Sequence, residues 1–205
     1  MARKLSTNPR KRAKQARSRS TVAAILEATT HILESEGYDR CTTNKIADRA
    51  GVSIASLYQY FPSKEALIAA LIDQHLEEIS QLQMKLLLEA PDRPPSELIS
   101  EMAVLHVQMH SSNPRLHRVI LEQVPGVDRL KAVVAFRRQT ETRLALLLDA
   151  HRESLRITDS RLAAFVLVNM IDALKQACVL DRAEYLNDPH FLDEMRGLIR
   201  RYLER

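Results

Sequence analysis

Residues 43–62 read TNKIADRAGVSIASLYQYFP: two short helical segments separated by a turn at Gly51-Val52-Ser53. Thr42 and Thr43 are good caps for the first segment, which runs through Ala50. Gly51 can take the positive φ that the turn demands. Ser53 caps the second segment, Ile54 to Tyr60, and Pro62-Ser63 breaks it. Ala47 is small where the two helices cross closely. Ile46, Val52 and Leu57 are spaced to be buried and to set the interhelical angle. The pattern is a helix-turn-helix, and the outer face of its second helix is free to enter a major groove.

The candidate readers on that face are Ser53, Ile54, Ala55, Ser56, Tyr58, Gln59 and Tyr60. The Gln59 amide can pair with adenine through two hydrogen bonds, and Ala55 can touch a thymine methyl. Thr42, Thr43, Tyr58, Tyr60 and Lys64 suit phosphates, which position a protein on DNA without specifying sequence.

Working outward, a helix precedes the motif from about Arg19 to Ser35. Val22, Ile25, Leu26, Thr29, Ile32 and Leu33 fall on one stripe, and Gly37 ends it. After the motif, Ser63 caps a long helix from Lys64 to about Glu89. Leu67, Leu71, Leu76, Ile79, Leu82, Leu86 and Leu87 lie on its inner side. Glu65 sits in the first turn, where its charge suits the helix dipole.

Residues 21–73, TVAAILEATTHILESEGYDRCTTNKIADRAGVSIASLYQYFPSKEALIAALID, resemble the N-terminal domain of TetR-family transcriptional regulators almost throughout. The resemblance is carried by the Ala-Ile-Leu first helix, the Gly-Tyr exit, Thr-Thr, Ile-Ala, Ala-Gly-Val-Ser, Leu-Tyr-x-Tyr-Phe and Ser-Lys-Glu-Ala-Leu. It implies a homodimer whose two reading helices enter successive major grooves. It also implies that Lys64 contacts phosphate. Gln59 stands where histidine is common between the two tyrosines, which leaves base preference open. The resemblance further implies that the rest of the chain binds a small-molecule effector and dimerises, with repression relieved when the effector binds.

The formal charge of the 205 residues is +4, from 30 Lys and Arg against 26 Asp and Glu. Its distribution is uneven. Arg3, Lys4, Arg10, Lys11, Arg12, Lys14, Arg17 and Arg19 place +8 on the first 20 residues, which hold no acid. Residues 21–75 carry −3 and the remainder −1. The reading domain therefore has little general attraction for DNA, and the arm supplies it, with Arg17 and Arg19 nearest the motif. Arginines there can also enter a minor groove. Residues 1–16 have almost nothing to bury and are expected to be disordered in isolation.

Beyond the loop at 90–95, itself a plausible domain border, the pattern is helical again. Ser96 caps a helix to about Ser111, and Asn113-Pro114 opens one to about Glu122. Val127 to Glu153 is long, Thr158 or Asp159 caps Ser160 to Leu180, and Asp188-Pro189 opens the last, through Leu203. Leu162, Phe165, Val166, Asn169, Ala173, Ala177 and Leu180 share one stripe, and Phe191, Met195, Leu198 and Tyr202 another. With the resemblance, these two helices are the expected dimer interface, with Phe165, Asn169, Ala173, Ala177, Met195, Leu198 and Tyr202 in contact; the alternative is that the stripes face the core of their own subunit. The helices 96–111, 114–122 and 127–153 are expected to enclose the effector, with His106, Met109, His110, His117, Phe136, Gln139 and Arg143 at the pocket. His106 and His110 have i, i+4 spacing, but a third metal ligand at fitting spacing is absent, so no metal is expected.

The expectation is an all-α fold of about nine helices: a basic arm at 1–16, a helix-turn-helix domain at 17–75 and an effector and dimerisation domain at 76–205. Four Gly and no Trp speak against a turn-rich sandwich or a phosphate-loop enzyme. No complete catalytic constellation is present, so neither enzyme activity nor a cofactor is expected. Cys41 and Cys178 make no disulfide framework. No apolar run approaches about 20 residues, so no membrane-spanning helix and no membrane partner are expected, and a cytoplasmic location follows by default. An enzyme and an architectural DNA binder without a ligand are the competing functions. Double-stranded operator DNA, a small-molecule effector and a second copy of the chain are the expected partners.

Overall fold

In a computed structural model of the chain, residues 16–89, 92–123 and 126–205 are described, apart from the side chains of residues 16, 17 and 126–131. These residues form nine α-helices and no strand, as an all-α fold requires. The helices are α1 (Ala16–Glu36), α2 (Thr43–Ala50), α3 (Ile54–Tyr60), α4 (Lys64–Glu89), α5 (Pro95–Gln108), α6 (Pro114–Gln123), α7 (Gly126–Ala150), α8 (Ser160–Asp181) and α9 (Pro189–Leu203). Short 3-10 turns follow α7 at Arg152–Ser154 and α8 at Ala183–Asn187. The arm expected at 1–16 lies outside the described residues except for Ala16, which opens α1.

The chain divides into two compact units. One takes the chain through His75 and adds Arg118–Ala132; the other holds Leu76–His117 and Val133–Arg205. The division falls inside α4, not in the loop at 90–95. Residues 118–132 join the first unit, where a linear division would put them in the second. Gln123 shows why: its Oε1 accepts the Tyr38 backbone N–H at 3.0 Å.

In the first unit, α1 packs on α2, and α2 on α3. Ile25, Leu33, Ile46, Leu57, Leu67 and Ile68 are fully buried. Thr29 is buried among them because its hydroxyl donates to the Ile25 carbonyl of its own helix at 2.7 Å. Val52 is only half-buried, so Ile46 and Leu57 carry the crossing without it. In the second unit, α5 packs on α9 and α8, and the 3-10 turn after α8 closes against α5, α8 and α9. Leu148, Leu167, Leu186, Met195 and Ile199 fill this core. Arg196 of α9 donates to Glu101 of α5 at 2.8 Å across that packing.

Several local expectations change. α1 starts three residues earlier, at Ala16. Ser96 is not a cap: it is buried, and its hydroxyl donates to Glu204 at 2.8 Å. Pro94 stands at that cap position without a side-chain bond, and Pro95 opens α5 with its fixed φ. α5 ends at Gln108 and α7 at Ala150. After α7 the chain turns to bury Leu155 and to hand the Arg156 N–H to the Leu203 carbonyl at 2.9 Å. Leu82, expected on the inner side of α4, is exposed. α8 corrects the reading that no apolar run approaches about 20 residues: its 22 residues have the length and composition of a membrane span, a test that the core helix of a soluble protein also passes. One face of it is buried on its own unit, and the other is an exposed apolar stripe.

Candidate nucleic-acid interface and ligand cavity

The helix-turn-helix lies wholly in the first unit, and local chemistry sets its geometry. Thr42 caps α2 by accepting the Lys45 N–H. Gly51 ends α2 at φ +66°, its N–H bonded to the Ala47 and Asp48 carbonyls. Ser53 caps α3 by accepting the Ser56 N–H at 3.1 Å. A Cβ at Gly51 would meet no atom within 4 Å, so a side chain there costs only backbone strain. Gly51→Ala is expected to destabilise the fold by about 1 kcal/mol, read as a lowered denaturation midpoint. An unchanged midpoint would show that the left-handed turn is not under strain.

With Leu57 and Phe61 turned inward, α3 presents Ser53, Ile54, Ala55, Tyr58 and Gln59 to solvent, with Ser56 and Tyr60 half-buried. Two tyrosines are held by hydroxyl partners. Tyr58 Oη lies 3.1 Å from Thr43 Oγ1, and Tyr60 Oη lies 2.8 Å from Ser18 Oγ of α1. Each hydroxyl both donates and accepts, so a phosphate oxygen can still be served. Arg19 is exposed on the first turn of α1, while the side chain of Arg17 lies outside the described residues.

Lys64 does more than its position in the sequence suggests. Its ammonium donates to the Tyr38 carbonyl at 3.0 Å and sits 3.6 Å over the Tyr38 ring. The Tyr38 hydroxyl donates to Glu65 at 3.2 Å. Burial, with the Glu65 charge beside it, pushes the Tyr38 hydroxyl up to about 12. This cluster ties the link between α1 and α2 to the start of α4. Lys64 has donors to spare for a phosphate, but one is committed within the unit.

The second unit holds a cavity of about 150 Å³ lined by α4, α5, α7 and α8. Of the residues expected at the pocket, His106, Phe136 and Arg143 line it. Gln139 lines an adjoining groove with Arg143. Met109, His110 and His117 do not line the cavity. Met109 closes α5. His110 is buried, with Nδ1 2.9 Å from the His106 carbonyl and its ring 4.4 Å from that of His117. α6 contributes no lining residue; α4 and α8 take its place.

The polar wall of the cavity centres on α8. Lys175 donates to Asp172 Oδ1 at 2.9 Å, and His106 Nε2 lies 3.3 Å from the same oxygen. Burial alone would raise the Asp172 carboxyl. The His106 hydrogen bond and the Lys175 charge overcome that and hold it far below the carboxylate range. Burial, and then Lys175, lower His106 from 6.5, and Asp172 opposes them only in part. His106 is thus neutral at pH 7 and donates to Asp172. Below pH 6.5 the unfolded chain takes up the His106 proton before the folded chain does, so acidification weakens the fold. The wild-type melting temperature is expected to fall from pH 7 to pH 5 more steeply than that of His106→Gln. Parallel curves would count against it. Asp172, Lys175, Arg137 and the α4 wall were missed in the sequence. The available signal was one charged pair at i, i+3 in the otherwise apolar α8.

The expected dimer residues separate into two groups. Phe165, Ala173, Ala177 and Leu198 are exposed, and Asn169 and Tyr202 are half-buried. Met195 is corrected: it is 1% exposed and belongs to its own unit's core. Cys41 and Cys178 are free thiols buried in different units, and burial pushes Cys41 up to about 11.

Comparison with known proteins places this geometry. Residues 25–71 match the family described as bacterial regulatory proteins, tetR family. Residues 94–203 match the tetracyclin repressor-like C-terminal domain. The nucleoid occlusion factor SlmA of Vibrio vulnificus is 37% identical over 97 residues, 47% of this chain, and the match spans about half of that relative's length (48%). SlmA of Actinobacillus pleuropneumoniae is 30% identical over 175 residues, covering 82% of this chain and 85% of its own. Among solved structures, NalD of Pseudomonas aeruginosa, the secondary repressor of the MexAB-OprM multidrug efflux pump, superposes with a TM-score of 0.72. It is 21% identical and covers 93% of this chain and 99% of its own. The fatty acid degradation regulator FadR of Bacillus halodurans has a TM-score of 0.70 at 20% identity, over 87% and 94%. These last two likenesses are of fold. With family matches over both its reading and its C-terminal regions, the chain belongs to the TetR family of bacterial transcriptional regulators.

Proposed function

We propose that this regulator is a homodimeric repressor that a small molecule releases from its operator. The observation that carries the DNA-binding part is the outward face of α3, with Ala55, Tyr58 and Gln59 exposed on a helix whose other side is locked by Leu57 and Phe61. Gln59 and Ala55 read base edges. Ser53 and Ser56 stand on the same reading face, and Thr42, Thr43, Tyr58, Tyr60, Lys64, Arg17 and Arg19 engage the backbone.

Dimerisation is supported by the uncovered stripe of α8, where Leu162, Phe165 and Val166 stand beside Ala173 and Ala177, with Leu198 exposed on α9. A patch of this kind on a soluble chain calls for a partner, and a two-fold axis lets one stripe cover its copy. The cavity of the second unit is the effector site. An effector releases DNA when it binds the non-reading conformation of the dimer more tightly than the reading one. α4 contributes Leu67 and Ile68 to the core beneath the motif and Met84 and Leu87 to the cavity, so it is the element to watch for coupling.

Selection of bound sequences from random DNA tests the proposal. A palindrome with half-sites one helical turn apart is the expected result. Gln59→Ala is then expected to relax preference at one base pair per half-site, a discrimination worth about 1–3 kcal/mol. Enrichment of no site would remove the operator reading. A second reading comes from the 30% identity to a nucleoid occlusion factor along most of the chain. If this chain shares that role, chromosome-wide mapping should find many dispersed sites rather than a few promoters.

A further inference from the structure

The second-unit cavity has an unbalanced charge. Its walls are mainly apolar, with Leu87, Ile99, Met102, Leu147, Val168 and Ile171 among them. One side of α7 adds Arg137, Thr140 and Arg143 to this wall. The spacing of these three is three residues each time, so they follow one another along the helix. Asp172 is the one acid among the described residues lining the cavity, and Lys175 and His106 already bond it. The charge of Asp172 is therefore cancelled by Lys175, and two guanidinium groups remain without a carboxylate on the cavity wall. Arg137 donates to Asn169 Oδ1 at 3.5 Å, the limit of a hydrogen bond, and Asn169 in turn donates to Glu141 at 3.4 Å, an acid that does not line the cavity.

The cavity shares Ser80, Met84 and Arg143 with a wider groove of about 660 Å³. Arg143 therefore marks the passage from one to the other. In that groove Lys85 pairs with Glu89, so its charges are more evenly matched.

We infer that the cavity takes an amphipathic organic anion, with an apolar chain or ring system against the α5 and α8 walls and a carboxylate-type head on Arg137 and Arg143. Arg137, half-buried against the apolar wall, has given up part of its hydration, and an anionic head restores it with charge-assisted, fork-shaped hydrogen bonds, while Arg143, exposed at the cavity's edge, adds a second guanidinium to the same head. A neutral ligand would leave both arginines without a counter-charge inside the cavity, since Glu141, Glu77 and Glu89 lie outside its lining. A cationic ligand would meet their repulsion, and Asp172 already holds two donors. Thr140 adds no donor to the head, since its hydroxyl bonds the Phe136 carbonyl at 3.0 Å. This assignment rests on the reading of the cavity as the effector site.

Three probes with the same ten-carbon chain separate the possibilities: decanoate, decanol and decylamine. Each is titrated below its aggregation concentration into the full-length protein by calorimetry. Decanoate is expected to bind at least about 10-fold more tightly than decanol, with decylamine weaker still. Arg137→Gln with Arg143→Gln is expected to bring decanoate down to the affinity of decanol. Unchanged helicity and melting temperature in that variant would show that the loss is local. Decanol or decylamine binding as tightly as decanoate would overturn the inference. So would no decanoate binding, or a double variant that keeps the preference. Release of selected operator DNA is followed in parallel by fluorescence anisotropy. Selective decanoate binding without release would leave the ligand class standing and remove the effector reading.

Discussion

A chain carrying Leu162→Glu and Phe165→Glu is expected to run as a monomer in size-exclusion chromatography with light scattering. Its affinity for the selected operator should fall about 100-fold or more, because two linked half-site interactions become one. Both side chains are more than half exposed, at 57% and 54%, so the substitutions disturb little of the unit that carries them. In a two-fold interface each stripe meets its own copy, and the change places four carboxylates together. Taking such charges out of water without partners costs several kcal/mol. Helicity should be unchanged. A variant that stays dimeric would move the interface elsewhere. A monomer that keeps full operator affinity would remove the need for a dimer. The same stripe gives α8 the length and composition of a membrane-crossing helix, and a second copy of the chain is what this proposal puts over it.

The second large effect concerns the arm. Removing residues 2–16 takes away six bases, Arg3, Lys4, Arg10, Lys11, Arg12 and Lys14, and no acid. Each phosphate that is no longer neutralised flattens the log–log salt dependence by about 0.9, so the slope should shrink by up to roughly 5 per subunit. Affinity at about 0.15 M salt should drop by about 100-fold for operator and random DNA alike, which leaves sequence preference nearly intact. Filter binding across a salt series reads both quantities. An unchanged slope would mean that the arm neutralises no phosphate. Residues 21–75 carry −3 and cannot supply this attraction themselves. There Lys45 pairs with Glu36 and Lys64 is engaged with Tyr38, so the cations of the reading unit are partly spent on the fold itself.

The parts of the molecule that were legible in the sequence share a physical property. Thr42, Gly51, Ser53, Ser63 and Asp188 act on backbone groups within five residues of themselves, and the helices they begin or end were placed to within a residue. The stripe on α8 was legible because a helix repeats its face every three or four residues, whatever lies opposite. Ser96 was misread because a serine before a helical pattern looks like a cap. Its actual partner, Glu204, is 108 residues away. Met195 was misassigned because periodicity names a stripe but not its edges. Leu198 and Met195 are neighbours on α9, yet one is 45% exposed and the other fully buried.

The cavity belongs to the other category. Its walls come from four helices between Ser80 and Asp172, and its polar cluster joins His106 to residues 66 and 69 positions later. No local pattern encodes such a meeting, since the energy of a buried ion pair depends on which helices the whole unit brings together. By itself the sequence determined the reading helix, its caps and turn, the family, and the separation of a basic arm from a mildly acidic body. Those rest on interactions along the chain or on sums over it. The tertiary structure alone decided that His106 faces Asp172, that α4 and α8 rather than α6 wall the cavity, and that Arg137 and Arg143 line it. Each of those depends on distances between helices, which packing sets and spacing in the sequence does not.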